Sequence, residues 1–307
     1  MDRLNIIHDL QEWIEHHLGE KLGIEEVANK SGYSKFHLQR LFRELSGYTI
    51  GSYIRFRRLT KAAIELKLTN LSVGDIAERY NYSSQSAFTR TFFSHYRSTP
   101  ADYRRSEEWD CRGMLSPART IKKKFNIISL PEKVFKGRTV ICDFKVGSAE
   151  LTRLNHLECF RMKLGRNRKM RPPVIYGVHH YNLHQAHNDI SKILYTTAVE
   201  ERKLLNPKAP QNLIYSSEGY FAQYSFAGTP ASFTKFAESV YQNDFPGSGL
   251  IRRKGNDIER YYTSESFWDN PASTVVQCDY FIPVRQSDLP SAPGPGILKD
   301  QHDLHSV

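Results

Sequence analysis

The sequence predicts an N-terminal all-α domain with two helix-turn-helix motifs joined by a long helix, followed by a C-terminal α+β domain of two pseudo-symmetric βαββ units. Three observations lead there. An apolar pattern in residues 24–42 returns in residues 73–92. The stretch between them, Ile50 to about Leu68, has helical periodicity and no proline. From Phe125 onward the character changes to short β-rich runs with helical stretches between them. A chain of 307 residues accommodates two domains at roughly 100–200 residues each. The divisions fall at 1–105 for the helical domain, 106–124 for a linker and 125–285 for the second domain. The linker is read from Gly113, Pro117 and Lys122-Lys123-Lys124. Residues 286–307, with Pro293-Gly294-Pro295-Gly296, read as a disordered tail.

The repeat is specific. Ile24-Glu25-Glu26-Val27-Ala28 precedes Gly32-Tyr33-Ser34 and then Leu38, Arg40 and Phe42. Val73-Gly74-Asp75-Ile76-Ala77 precedes Asn81-Tyr82-Ser83 and then Phe88, Arg90 and Phe92. Each unit is a short helix, a tight turn and a second helix. Gly32 and Asn81 are residue types that tolerate a positive φ, which a sharp turn needs. Ser34, and Ser83 or Ser84, are placed to cap the second helices.

The helix from Lys35 to about Ser46 has two faces. Leu38, Leu41, Phe42 and Leu45 are spaced to face the core. Phe36, Gln39, Arg40 and Arg43 follow the same spacing on the other side, beside Lys35. Gln bonds adenine and Arg bonds guanine in bidentate fashion, and a Phe beside them is placed against a thymine methyl. The alternative is an ordinary solvated polar face. On the second such helix Phe88 and Phe92 face the core, leaving Gln85, Ser86, Thr89 and Arg90 for DNA. Ser86 and Thr89 are short, so this helix is expected to supply fewer base contacts and more phosphate contacts.

The connector helix spans about 27 Å over 18 residues, and major-groove segments on one DNA face recur at about 34 Å. One chain can therefore present two reading heads to one duplex without dimerising. Arg55, Arg57, Arg58 and Lys61 on the connector read as phosphate or interdomain contacts, with a solvated basic face as the alternative.

Formal net charge is +10, which suits a polyanionic partner. It divides as +4 in residues 1–105 and +6 in the remainder, so the DNA reading rests on placement rather than on total charge. No run of about 18 apolar residues predicts a membrane span. Met1-Asp2-Arg3-Leu4 leads into no apolar stretch of signal-peptide type. Cys111, Cys142, Cys159 and Cys278 are scattered without a C-x-x-C pair, which argues against a zinc ribbon or disulfide scaffold and fits a reducing cytoplasm.

The arrangement Ile24-x-x-Val27-Ala28, Gly32-Tyr33-Ser34, Leu38-Gln39-Arg40-Leu41-Phe42, Gly51-x-Tyr53-Ile54-Arg55-x-Arg57-Arg58-Leu59, Asp75-Ile76-Ala77, Phe88-Thr89-Arg90-x-Phe92 and Thr99-Pro100-x-x-Tyr103-Arg104-Arg105 resembles the AraC/XylS transcription activators. Further matches to members that carry the DNA-binding domain first are Pro173-Val174-Ile175-Tyr176-Gly177, Tyr195-Thr196-Thr197-Ala198 and Arg252 to Tyr262. The resemblance covers roughly residues 1–285. It implies a seven-helix domain acting as a monomer on a degenerate promoter box of double-stranded DNA. It also implies contact with RNA polymerase and control of multidrug, organic-solvent and oxidative-stress genes. Two departures bear on promoter preference. The family usually has Trp where this chain has Phe36, and Gln then Thr where it has Ser86-Ala87.

The second domain reads as two βαββ units offset by about 80 residues. The first has strands near 138–145, 173–178 and 193–199 and a helix near 148–164. The second has strands at 220–227, 258–263 and 274–284 and a helix at 231–243. Two such units packed about a pseudo-twofold axis leave a cleft between them. This matches the GyrI-like effector-binding domain that the resemblance implies, whose clefts hold amphipathic or hydrophobic small molecules in related regulators; the effector expected for this chain is a small amphipathic molecule, a bile salt, a fatty acid or similar. Glu259 beside Tyr261, with Tyr176 and Trp268 as neighbours, supplies a carboxylate among aromatics, which a cationic or amphipathic ligand would use. The alternative is a surface Glu paired with Arg260 or Arg252. His179, His180, His184 and His187 read as a solvated loop rather than a metal site. No nucleophile elbow, Walker loop, dinucleotide fingerprint or zinc-protease motif is present, so neither an enzyme nor a cofactor is expected. The resulting expectation is a cytoplasmic, nucleoid-associated, ligand-responsive activator. The rival is an architectural or origin-region DNA-binding protein whose second domain controls availability rather than sensing a ligand.

Overall fold

The structure, a computed structural model, describes residues 3–118, 123–145, 171–181, 190–200, 213–269 and 275–286. The helix expected near 148–164, His184, His187 and the tail beyond residue 286 lie outside the described residues. The chain forms two compact units. The first is Met1–Lys122 together with Val240–Gly249, and the second is Lys123–Ser239 together with Leu250–Val307.

In the first unit, α1 (Arg3–His16) buries Ile7, Leu10 and Ile14 at helical spacing. α2 (Ile24–Ser31) begins with the Glu26 carboxylate accepting the Gly23 N–H at 2.8 Å. It ends at Gly32, whose φ of 72° lies in the left-handed region that favours glycine. α3 (Lys35–Ser46) starts at Ser34, whose hydroxyl accepts from the His37 N–H. α4 (Ile50–Leu68) is capped by Thr49. α5 (Val73–Arg79) opens on a reciprocal cap between Ser72 and Asp75. The chain turns at Asn81, with φ 58°, into α6 (Gln85–Tyr96), capped by Ser84. α7 (Pro100–Arg105) has Thr99 as its cap and proline in its first turn, where the missing N–H costs nothing.

Helix α4 is the axle of this unit and packs against α3, α5 and α7. Leu38, Leu41 and Phe42 of α3 and Phe88 and Phe92 of α6 are buried, as their spacing requires. Leu45 is not: it is one turn too late to meet the core and stays 37% exposed. Residues 106–118 also depart from the linker reading. Trp109 and Cys111 are buried. Lys67 Nζ donates to the carbonyls of Ser106 (2.6 Å) and Glu108 (2.7 Å), and the Leu115 N–H donates to Thr60 Oγ1 (2.9 Å). The buried ammonium of Lys67 needs acceptors and the Trp109 indole needs cover, so this stretch is bonded along α4.

The second unit is built on an antiparallel sheet. Its strands are β1 (Asn126–Leu130), β2 (Lys133–Lys145), β3 (Val174–Tyr181), β4 (Ile190–Glu200), β5 (Leu213–Ser216), β6 (Gly219–Gly228), β7 (Asp257–Tyr262) and β8 (Val276–Pro283). Their spatial order is β1-β6-β8-β7-β3-β4-β2-β5. The edge strands β1 and β5 are short and were not among the strands expected from sequence. Side chains alternate between the two faces. One face gathers Ile128, Leu130, Phe135, Tyr176, Val178, Ala198, Phe221, Ile258 and Phe281 into an apolar core. The other carries Glu259, Tyr261, Tyr195 and His179 and meets helix α8 (Pro230–Ser239), whose Phe233 ring lies 5.6 Å from Tyr261. The helix expected over 231–243 is α-helical only as far as Ser239 and continues as a π-turn over Val240–Asp244. A short helix α9 (Glu265–Asp269) buries Phe267 and Trp268. No helix among the described residues is long and apolar enough to cross a membrane.

Candidate nucleic-acid interface

The face of α3 opposite its core is open to solvent. Lys35, Phe36, Arg40 and Arg43 are exposed and Gln39 is half-buried. Phe36 is 82% exposed. A large ring held out from a well-capped helix, flanked by guanidinium groups, has the chemistry of a groove-reading face. Lys35 is engaged in an exposed ion pair with Glu25 of α2. The corresponding face of α6 presents Gln85, Ser86 and Arg90 to solvent, with Thr89 half-buried.

The connector residues separate into three roles. Arg55 is exposed, with its guanidinium 5.2 Å from the centre of the Phe56 ring. With Arg90 it flanks a groove of about 410 Å³ between α4 and α6, lined also by Phe56, Leu59, Thr91, Ser94 and His95. Arg57 cannot be a phosphate contact. Its side chain is fully buried, Nε and Nη2 donate to Glu15 at 2.6 and 2.8 Å, and Nη1 donates to the Leu115 carbonyl. Arg58 is half-buried and donates to the carbonyls of Leu18 (2.8 Å) and Glu20 (2.6 Å), closing the chain that leaves α1. Arg57 meets Glu15 of α1 and Arg58 the chain just after it, partners that helical spacing within α4 alone does not reveal.

The second unit holds a buried polar cluster. Glu259 is wholly buried, and its Oε2 accepts from Tyr195 Oη (2.8 Å) and Tyr261 Oη (2.7 Å). His179 Nε2 lies 2.9 Å from Glu259 Oε1. Gly177 stands opposite Glu259 in the β3–β7 register. A Cβ there would come within 2.6 Å of Glu259 Oε2 and closer still to Tyr195 Oη, so the cluster needs glycine at this position. Burial, then the Glu259 charge, pushes the Tyr261 phenol and the Cys278 thiol well above their ordinary values. Of the residues expected to accompany Glu259, only Tyr261 does. Tyr176 pairs with Arg260 in register, so it projects to the opposite face and donates to Glu200 Oε2 at 2.9 Å. Trp268 lies in α9 under the Arg171 guanidinium, beside a separate recess of about 250 Å³ lined by Pro172, Pro173, Thr263 and Glu265. Tyr195 and His179 complete the cluster instead. Only the β3–β4 and β3–β7 registers bring them to Glu259.

Glu259 is therefore not a surface partner of an arginine. Arg260 instead meets Asp279 at 3.0 Å, and Arg252 meets Asp257 at 2.9 Å. Among the described residues no group of three or more His, Cys, Asp or Glu is placed to hold a metal ion.

Residues 27–106 match a family described as a helix-turn-helix domain. The chain is 34% identical over 292 residues to the transcriptional regulator Rob of Salmonella typhimurium (strain LT2), spanning 93% of this chain and 100% of that one. It is 34% identical over 294 residues to the right origin-binding protein of Escherichia coli (strain K12), with the same coverage. It is 48% identical over 104 residues to the regulatory protein SoxS of Escherichia coli (strain K12), covering 34% of this chain and 97% of SoxS. A helix-turn-helix domain of this type binds double-stranded DNA. With two capped helix-turn-helix units on one axle and a Rob-type relative aligned over nearly all of its length, the chain belongs to the AraC-type DNA-binding transcription regulators, in the Rob-like group.

Proposed function

We propose that this protein is a monomeric transcription activator of stress and multidrug-resistance genes, whose second unit tunes its activity by binding a small amphipathic molecule. The observation that carries the DNA half is the pair of outward faces, Phe36-Gln39-Arg40-Arg43 on α3, which packs on α4, and Gln85-Ser86-Arg90 on α6, which reaches α4 through α5, α7 and the Phe56–His95 ring stack. A helix of 19 residues is about 28 Å long, close to the spacing of successive major-groove segments on one side of a duplex. α3 has the residue types that read bases, and α6 has shorter ones that suit phosphates. Arg55 takes the phosphate role that Arg57 is too buried to fill. Activation further requires contact with RNA polymerase, and the site of action is the cytoplasmic nucleoid.

The strand order supports reading the sheet as two four-stranded halves, β1-β6-β8-β7 and β3-β4-β2-β5, related by a pseudo-twofold axis at the β7–β3 seam, as in GyrI-like effector domains. Glu259 and Gly177 face each other across that seam. A buried carboxylate among Tyr195, Tyr261 and His179 favours a hydrophobic cation. A bile salt or fatty acid would bring a like charge to Glu259. The test is a genome-wide occupancy map with and without dodecyltrimethylammonium or a bile salt, paired with transcript levels. Promoter occupancy with transcripts that respond to the cationic amphiphile is the expected result. Occupancy without any transcriptional response would favour an architectural role.

A further inference from the structure

Helix α8 changes character where its unit ends. At Val240 it widens into a π-turn, closed by the Phe245 N–H donating to the Val240 carbonyl at 2.8 Å. Val240 is also the residue at which the chain joins the helical unit. From there the segment enters that unit's interior: Val240 and Phe245 are fully buried, and Tyr241 and Asp244 nearly so. The Tyr241 ring stacks on Trp109 with centres 5.5 Å apart and planes 11° from parallel. Phe245 meets the same indole at a steep angle, 6.3 Å away. Ser116 Oγ donates to the Asn243 carbonyl at 3.1 Å, and the π-turn also packs against α4. The DNA-binding unit is thus completed by ten residues from far along the chain. π-turns are rare, occur as single-turn bulges in α-helices and recur at functional positions.

The two ends of this segment touch different machinery. Trp109 and Ser116 belong to the stretch that Arg57, Thr60 and Lys67 bond to α4, and α4 packs against α3 and α5. Upstream, α8 lays Phe233 on Tyr261, which donates to Glu259. One continuous backbone, residues 233–245, therefore runs from the ring covering the carboxylate cluster to the ring stacked on Trp109. We propose that Val240–Gly249 is a coupling strap: a change in the seating of α8 on the sheet alters the packing of residues 106–116 on α4, and through α4 the hold of the reading helices on DNA. The effect on DNA and the identification of a ligand as what moves α8 rest on the proposed function; the coupling of α8 to residues 106–116 does not.

The test uses the full chain, no ligand and amide hydrogen exchange as readout. Phe233→Leu trims the ring from Tyr261 without touching the strap. In the continuous chain it should speed exchange in residues 106–116 by about ten-fold. With two glycines inserted between Ser239 and Val240, which leaves the strap in place but breaks the helix, Phe233→Leu should leave residues 106–116 within about two-fold of the inserted parent. If Phe233→Leu unfolds the second unit, Phe236→Leu, which loosens α8 against Phe226, gives the same comparison. Tyr241→Ala should itself speed exchange there, and Tyr241→Phe should not. An equal response with and without the inserted glycines, or none in either, would overturn the strap. Because no ligand enters, failure to find an effector would count against the proposed function and leave this result standing.

Discussion

Arg57 and Glu15 form a two-pronged ion pair inside the helical unit, with Nε 2.6 Å from Oε1, Nη2 2.8 Å from Oε2, and the guanidinium fully buried. A third donation, to the Leu115 carbonyl, ties α1 and the stretch after α7 to α4 through one side chain. Arg57→Ala strands a nearly buried carboxylate and should destabilise the unit by about 3–5 kcal/mol. Urea unfolding measures this. Among molecules that remain folded, the salt dependence of DNA binding should be unchanged, because Arg57 meets no phosphate.

Arg40→Ala should cost about 1–3 kcal/mol of specific binding and relax selection at one base position, as loss of a bidentate guanine contact does. Competition gel shifts against single-base variants of the site would show it. Equal loss on random duplex would remove the base-reading role.

Arg55→Ala should weaken binding to all sequences alike and lower the salt slope by about 1. A slope equal to that of the wild type would assign Arg55 to a solvated face.

Gly177→Ala should destabilise the second unit by about 1–3 kcal/mol, because the added methyl overlaps the Tyr195–Glu259 hydrogen bond. In a Tyr195→Phe background the same change should cost less, because the phenolic oxygen it meets is gone. A double-mutant cycle by urea unfolding reads the difference. Additive costs would mean that the cluster does not set this position.

Asp279 accepts from Ser225 (2.6 Å), Tyr262 (2.6 Å) and Arg260 (3.0 Å). Burial works to raise its pKa, but these hydrogen bonds and the Arg260 charge win and hold it below its ordinary 3.8. A carboxylate depressed on folding contributes stability that is complete above its unfolded value and is lost as pH falls below it. Asp279→Asn should therefore flatten the acid limb of the stability curve below about pH 4. An acid limb identical to the wild type's would show that the pairing carries no linkage.

Much of the first unit is legible in the sequence because its signals are local. Gly32, Asn81, Ser34 and Ser84 announce turns and caps within a few residues of where they act. The misplacements are non-local. Arg57 looks like any basic residue on an amphipathic helix until Glu15, 42 residues away, is brought beside it. Tyr176 and Glu259 fall on opposite faces because register, which no single strand encodes, pairs Tyr176 with Arg260 and Gly177 with Glu259. The same registers bring Tyr195 to Glu259 together with His179, which is buried in β3 and not in the solvated loop expected of it. Trp109, Cys111 and Leu115 were apolar signals inside a supposed linker, and they mark the stretch that α4 holds.

The most direct measurement is a hydroxyl-radical footprint of the full chain on a promoter site, with stoichiometry determined by titration. One chain per site, protecting two windows about 10 base pairs apart on one side of the duplex, is the predicted result. With protein saturating the site, Phe36→Ala and Arg40→Ala should each weaken the window read by α3 and leave the other. Two chains per site, or a single protected window unaffected by changes in α6, would contradict the reading of α3 and α6 as two heads on one axle.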